Sequence, residues 1–208
     1  MDDERQAIAY AQADFSSSNQ LFVDGLVDAY GSKLGTVLDL GCGPGDIPIR
    51  LARAKSSVYV VAVDASEVMV YLAHDAAETA DLLRRVRVVR GRIPGLRLRC
   101  GGFDAILSKD LLHHLPDPMV LWEEIKRLGR PGAVVYVMDL FRPETQDAAR
   151  QIVESVSGGE SEILKRDFYN SLLAAFTPDE VRDQLRRTGL DFEVEVVSER
   201  HMRINGLL

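Results

Sequence analysis

The sequence predicts an α/β fold, a parallel sheet with helices on both faces, and three observations carry that expectation. Short apolar runs of strand length alternate with segments of helical periodicity, the pattern of a sheet whose strands are joined by crossover helices. The first run, TVLDL at 36–40, leads into a turn with glycine at every second position: Gly41, Gly43 and Gly45. The second run, VYVVAV at 58–63, ends on an acid, Asp64.

Taken in order, residues 3–13 suit a first helix. Ser18 is a candidate cap for a second over 19–30, in which Leu21, Phe22, Leu26, Val27 and Tyr30 make one apolar face. Strands are expected at 36–40, 58–64, 86–90, 103–108 and 133–140, with helices at 46–54, 66–79 and 118–128. Beyond the fifth strand, two helices separated by Gly158 and Gly159 form a long excursion suited to a lid or substrate wall. Thr177 caps the next helix, with Pro178 at its first position and Glu180 completing a capping box, and Gly189 ends it. Two final strands are expected at 191–198 and 201–206.

The glycine turn suits a ligand that touches its backbone. Glycine tolerates positive φ and lacks a Cβ, so the chain reverses tightly and presents N–H groups at the start of the following helix. The G-x-G-x-G spacing differs from the G-x-G-x-x-G of dinucleotide sites, and Asp39 beside it would repel a pyrophosphate. A carboxylate there suits a ligand carrying an ammonium. Asp64 follows at the offset of roughly 20 residues where a strand-end acid accepts hydrogen bonds from ribose hydroxyls.

Four segments in order resemble the motifs of class I S-adenosylmethionine-dependent methyltransferases: LDLGCGPGD (38–46), VVAVDAS (60–66), FDAILSKDLLHHLPDP (103–118) and RLGRPGAVVYVMDL (127–140). The resemblance covers 34–140. It implies a single Rossmann-like domain with a seven-stranded, mostly parallel sheet closed by a C-terminal antiparallel pair. An N-terminal helical cap (1–33), a cofactor-binding core (34–140), a helical lid (143–176) and a last helix with the closing strands (177–208) would make up that domain. It also implies S-adenosylmethionine as cofactor, S-adenosylhomocysteine as product and no metal. Asp39, Gly41, Cys42 and Gly43 would meet the methionine portion, Asp64 the ribose and Ala65 the adenine edge. Ser108, through its carbonyl, and Lys109 complete the methionine end. Many relatives carry Gly-Asp after the third strand, where this chain has Gly91-Arg92. Arginine cannot accept from the adenine amino group, so backbone groups of Arg92 and Ile93 take that place.

Bulk properties narrow the partners. A chain of 208 residues is one domain on length alone, and its formal charge of -7 gives the molecule no overall footprint for nucleic acid. Seven arginines (Arg84, Arg85, Arg87, Arg90, Arg92, Arg97 and Arg99) cluster near the third strand, and solvated cations on an edge strand account for them. Two cysteines, Cys42 and Cys100, are too few for a zinc cluster or a disulfide framework, so a reducing cytoplasm is the default compartment. The opening residues lack the charge pattern of a signal peptide, and no apolar stretch approaches the roughly 18 residues of a membrane span. A monomer or homodimer is expected.

Methyl transfer from a sulfonium depends mainly on positioning, and a base is needed only when the attacking atom arrives protonated. Candidates follow the fourth strand: Asp110, His113 and His114, with Lys109 beside them. Substrate contacts are expected from Phe15 and Asn19, from Arg166, Asp167, Tyr169 and Asn170 in the lid, and from Arg200 and His201 at the last strand. By resemblance, the absence of an Asn/Asp-Pro-Pro-Tyr/Phe tetrapeptide argues against the exocyclic-amine chemistry of DNA adenine methylation. The favoured reading is methylation of a small molecule at O, N, S or C. An RNA or protein methyltransferase using the arginine cluster, and a non-catalytic cofactor-binding module, are the alternatives.

Overall fold

The computed structural model describes residues 15–208. The helix expected over 3–13 lies outside the described residues. Seven helices and seven strands follow: α1 (Ser16–Tyr30), β1 (Thr36–Leu40), α2 (Asp46–Ala54), β2 (Tyr59–Asp64), α3 (Glu67–Thr79), β3 (Val86–Arg90) and β4 (Phe103–Lys109). After a 3-10 turn at Leu112–His114 come α4 (Met119–Leu128), β5 (Gly129–Leu140), α5 (Gln146–Ser157), α6 (Glu162–Ala174), α7 (Pro178–Thr188), β6 (Glu193–Val196) and β7 (His201–Leu207).

The strands form one sheet in the order β3-β2-β1-β4-β5-β7-β6. All neighbours are parallel up to β5, and β7 then pairs antiparallel with both β5 and β6. Chain order reverses between β1 and β4, so a crevice opens there at the carboxyl ends of the strands. Leu40 and Ser108 lie opposite each other at its floor.

Pleating explains the two cores. Along β5, Val134, Tyr136 and Met138 join Phe22, Val23 and Leu26 of α1 on one face. Val135 and Val137 join Leu121, Trp122 and Ile125 of α4 and Val181 and Leu185 of α7 on the other. Because alternate residues point to opposite faces, a strand buried on both sides reads as a continuous apolar run, which is why the sequence shows these strands plainly. Parity also places Asp39 on the α1/α2 face and Asp139 on the α4/α7 face.

Boundaries differ in a few places. α1 begins at Ser16, and Ser18 does not cap it: the Asn19 N–H already donates to the Phe15 carbonyl at 2.9 Å, and Ser18 Oγ donates to the same oxygen at 3.2 Å. β5 starts at Gly129, before the apolar run, because Gly129 pairs with Phe103 across a register shift. The last helix keeps its capping box and its left-handed Gly189. The lid helices α5 and α6 share a small core of their own, with Ala149, Val153 and Leu172 packed beside Leu140.

Gly45 precedes α2 at φ 91°, and a Cβ there would meet the Ala73 backbone of α3 at 3.0 Å. Gly45→Ala is therefore expected to cost about 1–3 kcal/mol from the left-handed conformation alone, read as a lower urea midpoint with an unchanged slope.

Candidate functional site

The glycine turn is held against the end of β2. The N–H groups of Gly41 and Cys42 both donate to the Val63 carbonyl, at 2.8 and 3.0 Å. Gly43 N–H donates to Asp64 Oδ2 at 2.9 Å, and Ser66 N–H donates to Oδ1 of the same carboxylate at 2.8 Å. Each carboxylate oxygen keeps a second lone pair for a ligand. Gly43 takes φ 53°, and nothing lies within 4 Å of where its Cβ would stand, so the turn leaves open space on that side.

Beneath the turn a small cavity of about 50 Å³ is lined by Asp39, Gly41, Cys42, Gly43 and Lys109 among others. Asp39 is buried and its Oδ2 has no hydrogen-bond partner. Burial first, and the neighbouring Asp64 charge second, push its pKa up to about 7. Burial together with Asp39 and Asp64 likewise pushes the Cys42 thiol up, which makes it a poor nucleophile. Ser108 lines neither cavity: it is fully buried and its Oγ donates to the Leu40 carbonyl at 3.0 Å. Asp64, Ala65, Arg92 and Ile93 stand outside both cavities at the adjacent ends of β2 and β3, joined by Gly91 N–H donating to the Asp64 carbonyl at 2.9 Å.

A second cavity, of about 500 Å³, lies between α1, the 3-10 turn, the lid and β7. Asp110, His113, His114, His201, Phe15 and Asn170 all face it. Phe15 and Asp110 line both cavities, so the two meet at these residues.

Three residues expected to contact substrate lie away from the large cavity. Asn19 faces the small cavity, where its Nδ2 donates to Asp46 Oδ2 at 2.8 Å. Arg166 and Tyr169 do not face the large one. Helical periodicity explains this: Leu164, Asp167, Phe168, Ser171 and Ala174 form the cavity stripe of α6, which turns Arg166 to solvent. Tyr169 joins the lid core with the Arg150 guanidinium 5.8 Å from its ring centre.

The charged groups at the junction are tightly paired. His113 Nδ1 sits 2.6 Å from Asp139 Oδ1, both side chains being buried, and the other oxygen of Asp139 accepts from Leu112 N–H at 2.7 Å. Burial alone would lower the His113 pKa, but the charge and hydrogen bond of Asp139 outweigh it and the net shift is upward. His114 stacks on His113 with ring centres 4.0 Å apart, and burial, then the His113 charge, lower its pKa to about 4. Asp110 holds a left-handed φ of 56°, forms an ion pair with Lys109 and has His201 Nε2 at 3.6 Å. Burial opposes its ionisation, yet Lys109 and His201 together hold its carboxyl well below the usual range.

Asp139 was missed from the sequence. The available signal was an acid closing an apolar strand (YVMDL), the pattern that marked Asp39 and Asp64. Among the described residues no group of His, Cys, Asp and Glu is arranged to hold a metal ion, and no helix is long and apolar enough to cross a membrane.

A switch-point crevice with a glycine turn, a strand-end carboxylate at Asp64 and a buried acid at Asp39 defines a nucleoside-binding protein of Rossmann-like architecture. Residues 37–132 match the family model described as a methyltransferase domain. The 27-O-demethylrifamycin SV methyltransferase of Amycolatopsis mediterranei is 30% identical over 158 residues, which is 76% of this chain and 54% of that protein. The chain thus spans about half the length of that relative. A SAM-dependent methyltransferase from Aquifex aeolicus superposes with a TM-score of 0.75 at 21% identity, covering 97% of each chain. The plantazolicin methyltransferase BpumL, solved with a triazolic desmethylPZN analog and SAH, superposes with a TM-score of 0.78 at 14% identity, over 98% of this chain and 90% of that one. These two likenesses establish the fold. Residues 37–132 thus mark a methyltransferase domain, and the fold around them is that of solved S-adenosylmethionine-dependent methyltransferases.

The residues fit that cofactor. Asp39 Oδ2 is a buried acceptor without a donor, and the space beside Gly43 lets a ligand approach the backbone. Because the folded protein holds the Asp39 proton up to about pH 7 while an unfolded Asp loses it near pH 4, Asp39 makes the ligand-free fold less stable as pH rises across that window. Asp39→Asn should remove this dependence, for a relative gain on the order of 2–4 kcal/mol at pH 8 that disappears below pH 4. Urea unfolding of both proteins at a series of pH values measures it.

Proposed function

We propose that this chain transfers a methyl group from S-adenosylmethionine to a hydroxyl of a small molecule held in the large cavity, with His113 as the base and Asp139 as its positioning partner. The observation that carries the reading is the 2.6 Å His113–Asp139 pair in the wall of the cavity that adjoins the glycine-turn cavity.

When bound, the cofactor supplies an electrophilic methyl on a sulfonium whose departure leaves a neutral thioether. The chain's own residues do the rest. Gly41, Cys42 and Gly43 offer backbone to the amino-acid portion, Asp39 an acceptor for its ammonium, and the free lone pairs of Asp64 an acceptor for the ribose. Ala65, Arg92 and Ile93, at the ends of β2 and β3, stand where the adenine would lie. Phe15 and Asp110 form the boundary across which the acceptor meets the methyl.

A hydroxyl must lose its proton as it attacks. An ionised Asp139 can only accept, so His113 donates its Nδ1 proton to it and keeps Nε2 as the basic nitrogen. His114, with its pKa near 4, remains neutral beside it and adds no charge that would oppose protonation of His113. Phe15, Leu140 and Phe168 give the cavity an apolar wall, and its volume of about 500 Å³ suits a drug-sized organic acceptor. The Amycolatopsis relative is likewise named for an acceptor that lacks a methyl on an oxygen, 27-O-demethylrifamycin SV.

Among the described residues nothing lining the two cavities favours a polymeric substrate. None of the seven clustered arginines lines either cavity. Arg85 donates to the Ala52 carbonyl near the end of α2 at 2.5 Å, and Arg90 pairs with Glu67 at 2.7 Å. The shared boundary of the two cavities likewise favours an enzyme over a non-catalytic module, because a ligand in one faces a ligand in the other.

Incubation with methyl-labelled cofactor and a fractionated small-molecule extract tests the reading, and label recovered only in RNA or protein would overturn it. On the product so identified, Asp139→Asn should lower turnover about 10²–10⁴-fold while leaving S-adenosylhomocysteine binding within about threefold, by calorimetry. Activity should rise with pH through the raised His113 pKa, so its acidic limb lies above 6.5, and Asp139→Asn should move that limb downward.

A further inference from the structure

His114 lines the large cavity beside His113 and is the more open of the two rings. Its backbone N–H donates to the Leu111 carbonyl at 2.9 Å, but among the described residues no group takes up either ring nitrogen. Asp139 fixes His113, and His114 stacks on that fixed ring with centres 4.0 Å apart and planes inclined by 42°. With its pKa near 4, His114 is neutral where His113 works, so it offers one N–H donor and one acceptor nitrogen. Proton removal as read above uses His113 and Asp139 alone. The hydrogen-bonding capacity of His114 is left for the acceptor.

We propose that His114 selects acceptors with two hydroxyls on neighbouring carbons, a vicinal diol or a catechol, by binding the hydroxyl next to the one that His113 deprotonates. The assignment rests on the reading of His113 above and adds to it a substrate class and a specificity-determining residue. Oxygens on neighbouring carbons stand about one hydrogen-bond length apart, roughly 2.8 Å. Two imidazoles with centres 4.0 Å apart can therefore each take one of them. On an aromatic ring, hydroxyls in the meta or para relation are farther apart than the imidazole centres and diverge, so only one can be met. A hydroxyl suits a neutral imidazole as donor or as acceptor. A carboxylate in its place would face Asp110, which lines the same cavity and stays ionised because Lys109 and His201 outweigh the effect of burial.

Catechol, resorcinol and hydroquinone test this, because the three isomers carry the same two hydroxyls and differ in their spacing. Each is added as a competitor to the full chain turning over the acceptor identified by the labelling experiment. Catechol should inhibit at a concentration about tenfold or more below that of either isomer, and the labelled product should carry a hydroxyl on the carbon next to the new methoxy group. His114→Phe keeps a ring to stack but has no nitrogen. It should raise the acceptor KM about tenfold or more, with a smaller effect on kcat, and cancel the preference for catechol. His114→Gln restores a donor and an acceptor and should recover part of both. S-adenosylhomocysteine binding within about threefold of wild type shows that each variant is folded. Equal inhibition by the three isomers, inhibition by none, a product with no neighbouring oxygen, or a catechol preference that survives in His114→Phe overturns the assignment. A loss of turnover in Asp139→Asn would still support the base reading in each of those cases. Label recovered only in RNA or protein, or full turnover by Asp139→Asn, overturns the reading of His113 and the assignment with it.

Discussion

The contact on which the rest depends is the grip of Asp64 on the glycine turn. One carboxylate oxygen takes the Gly43 N–H and the other the Ser66 N–H, while the Val63 carbonyl just before it takes two more N–H groups from Gly41 and Cys42. Hydrogen bonds to an ionised acceptor are among the stronger ones, and here they join the loop after β1 to the end of β2. That fixes where α2 starts, how wide the crevice is and which backbone groups face it. On the proposed reading the same carboxylate would also meet the ribose, so one side chain would both shape the site and present a ligand contact.

Charge is concentrated at the carboxyl ends of the central strands. Asp39, Lys109, Asp110, His113 and Asp139 are all buried or nearly so within a short distance of the switch point. Burying charges costs free energy unless each is paired, and the protein pairs all but one of the acids: Asp110 with Lys109, Asp139 with His113 and Leu112 N–H, Asp64 with the turn. Asp39 is the exception. Its raised pKa is the direct consequence, and it marks the point where a cationic ligand would lower the energy of the site.

The walls around this charged centre differ in how they are fastened. α1 packs on the sheet through Phe22 and Leu26, ties to α2 through Asn19 and Asp46, and reaches β7 through Tyr30 Oη, which donates to Asn205 Oδ1 at 2.7 Å. The helices α5 and α6 rest on a small core of their own beside Leu140 of β5.

How much of this could be read from the chain follows from the physics of each feature. Backbone-level features were legible because local residues determine them: the glycines of the turn, the apolar strands buried on both faces, the capping box at Thr177 and the helix stop at Gly189 all depend on neighbours in sequence. The strand-end acids Asp39 and Asp64 were legible for the same reason. Pairings across the sheet were not. Asp139 meets His113 only because β5 lies beside β4 and parity turns Asp139 toward the face where the 3-10 turn after β4 brings His113, and the Lys109–Asp110–His201 group needs β7 to return antiparallel along β5. Likewise, which of the lid's polar residues face the cavity was decided by the rotation of α6 on its own core, which turned Arg166 and Tyr169 away. The chain alone therefore determined the fold class and the cofactor turn, since both are written in local periodicity and backbone permission. The His113–Asp139 pairing and the large cavity were decided by tertiary packing, because they join residues that share no local pattern and meet only when the sheet is assembled.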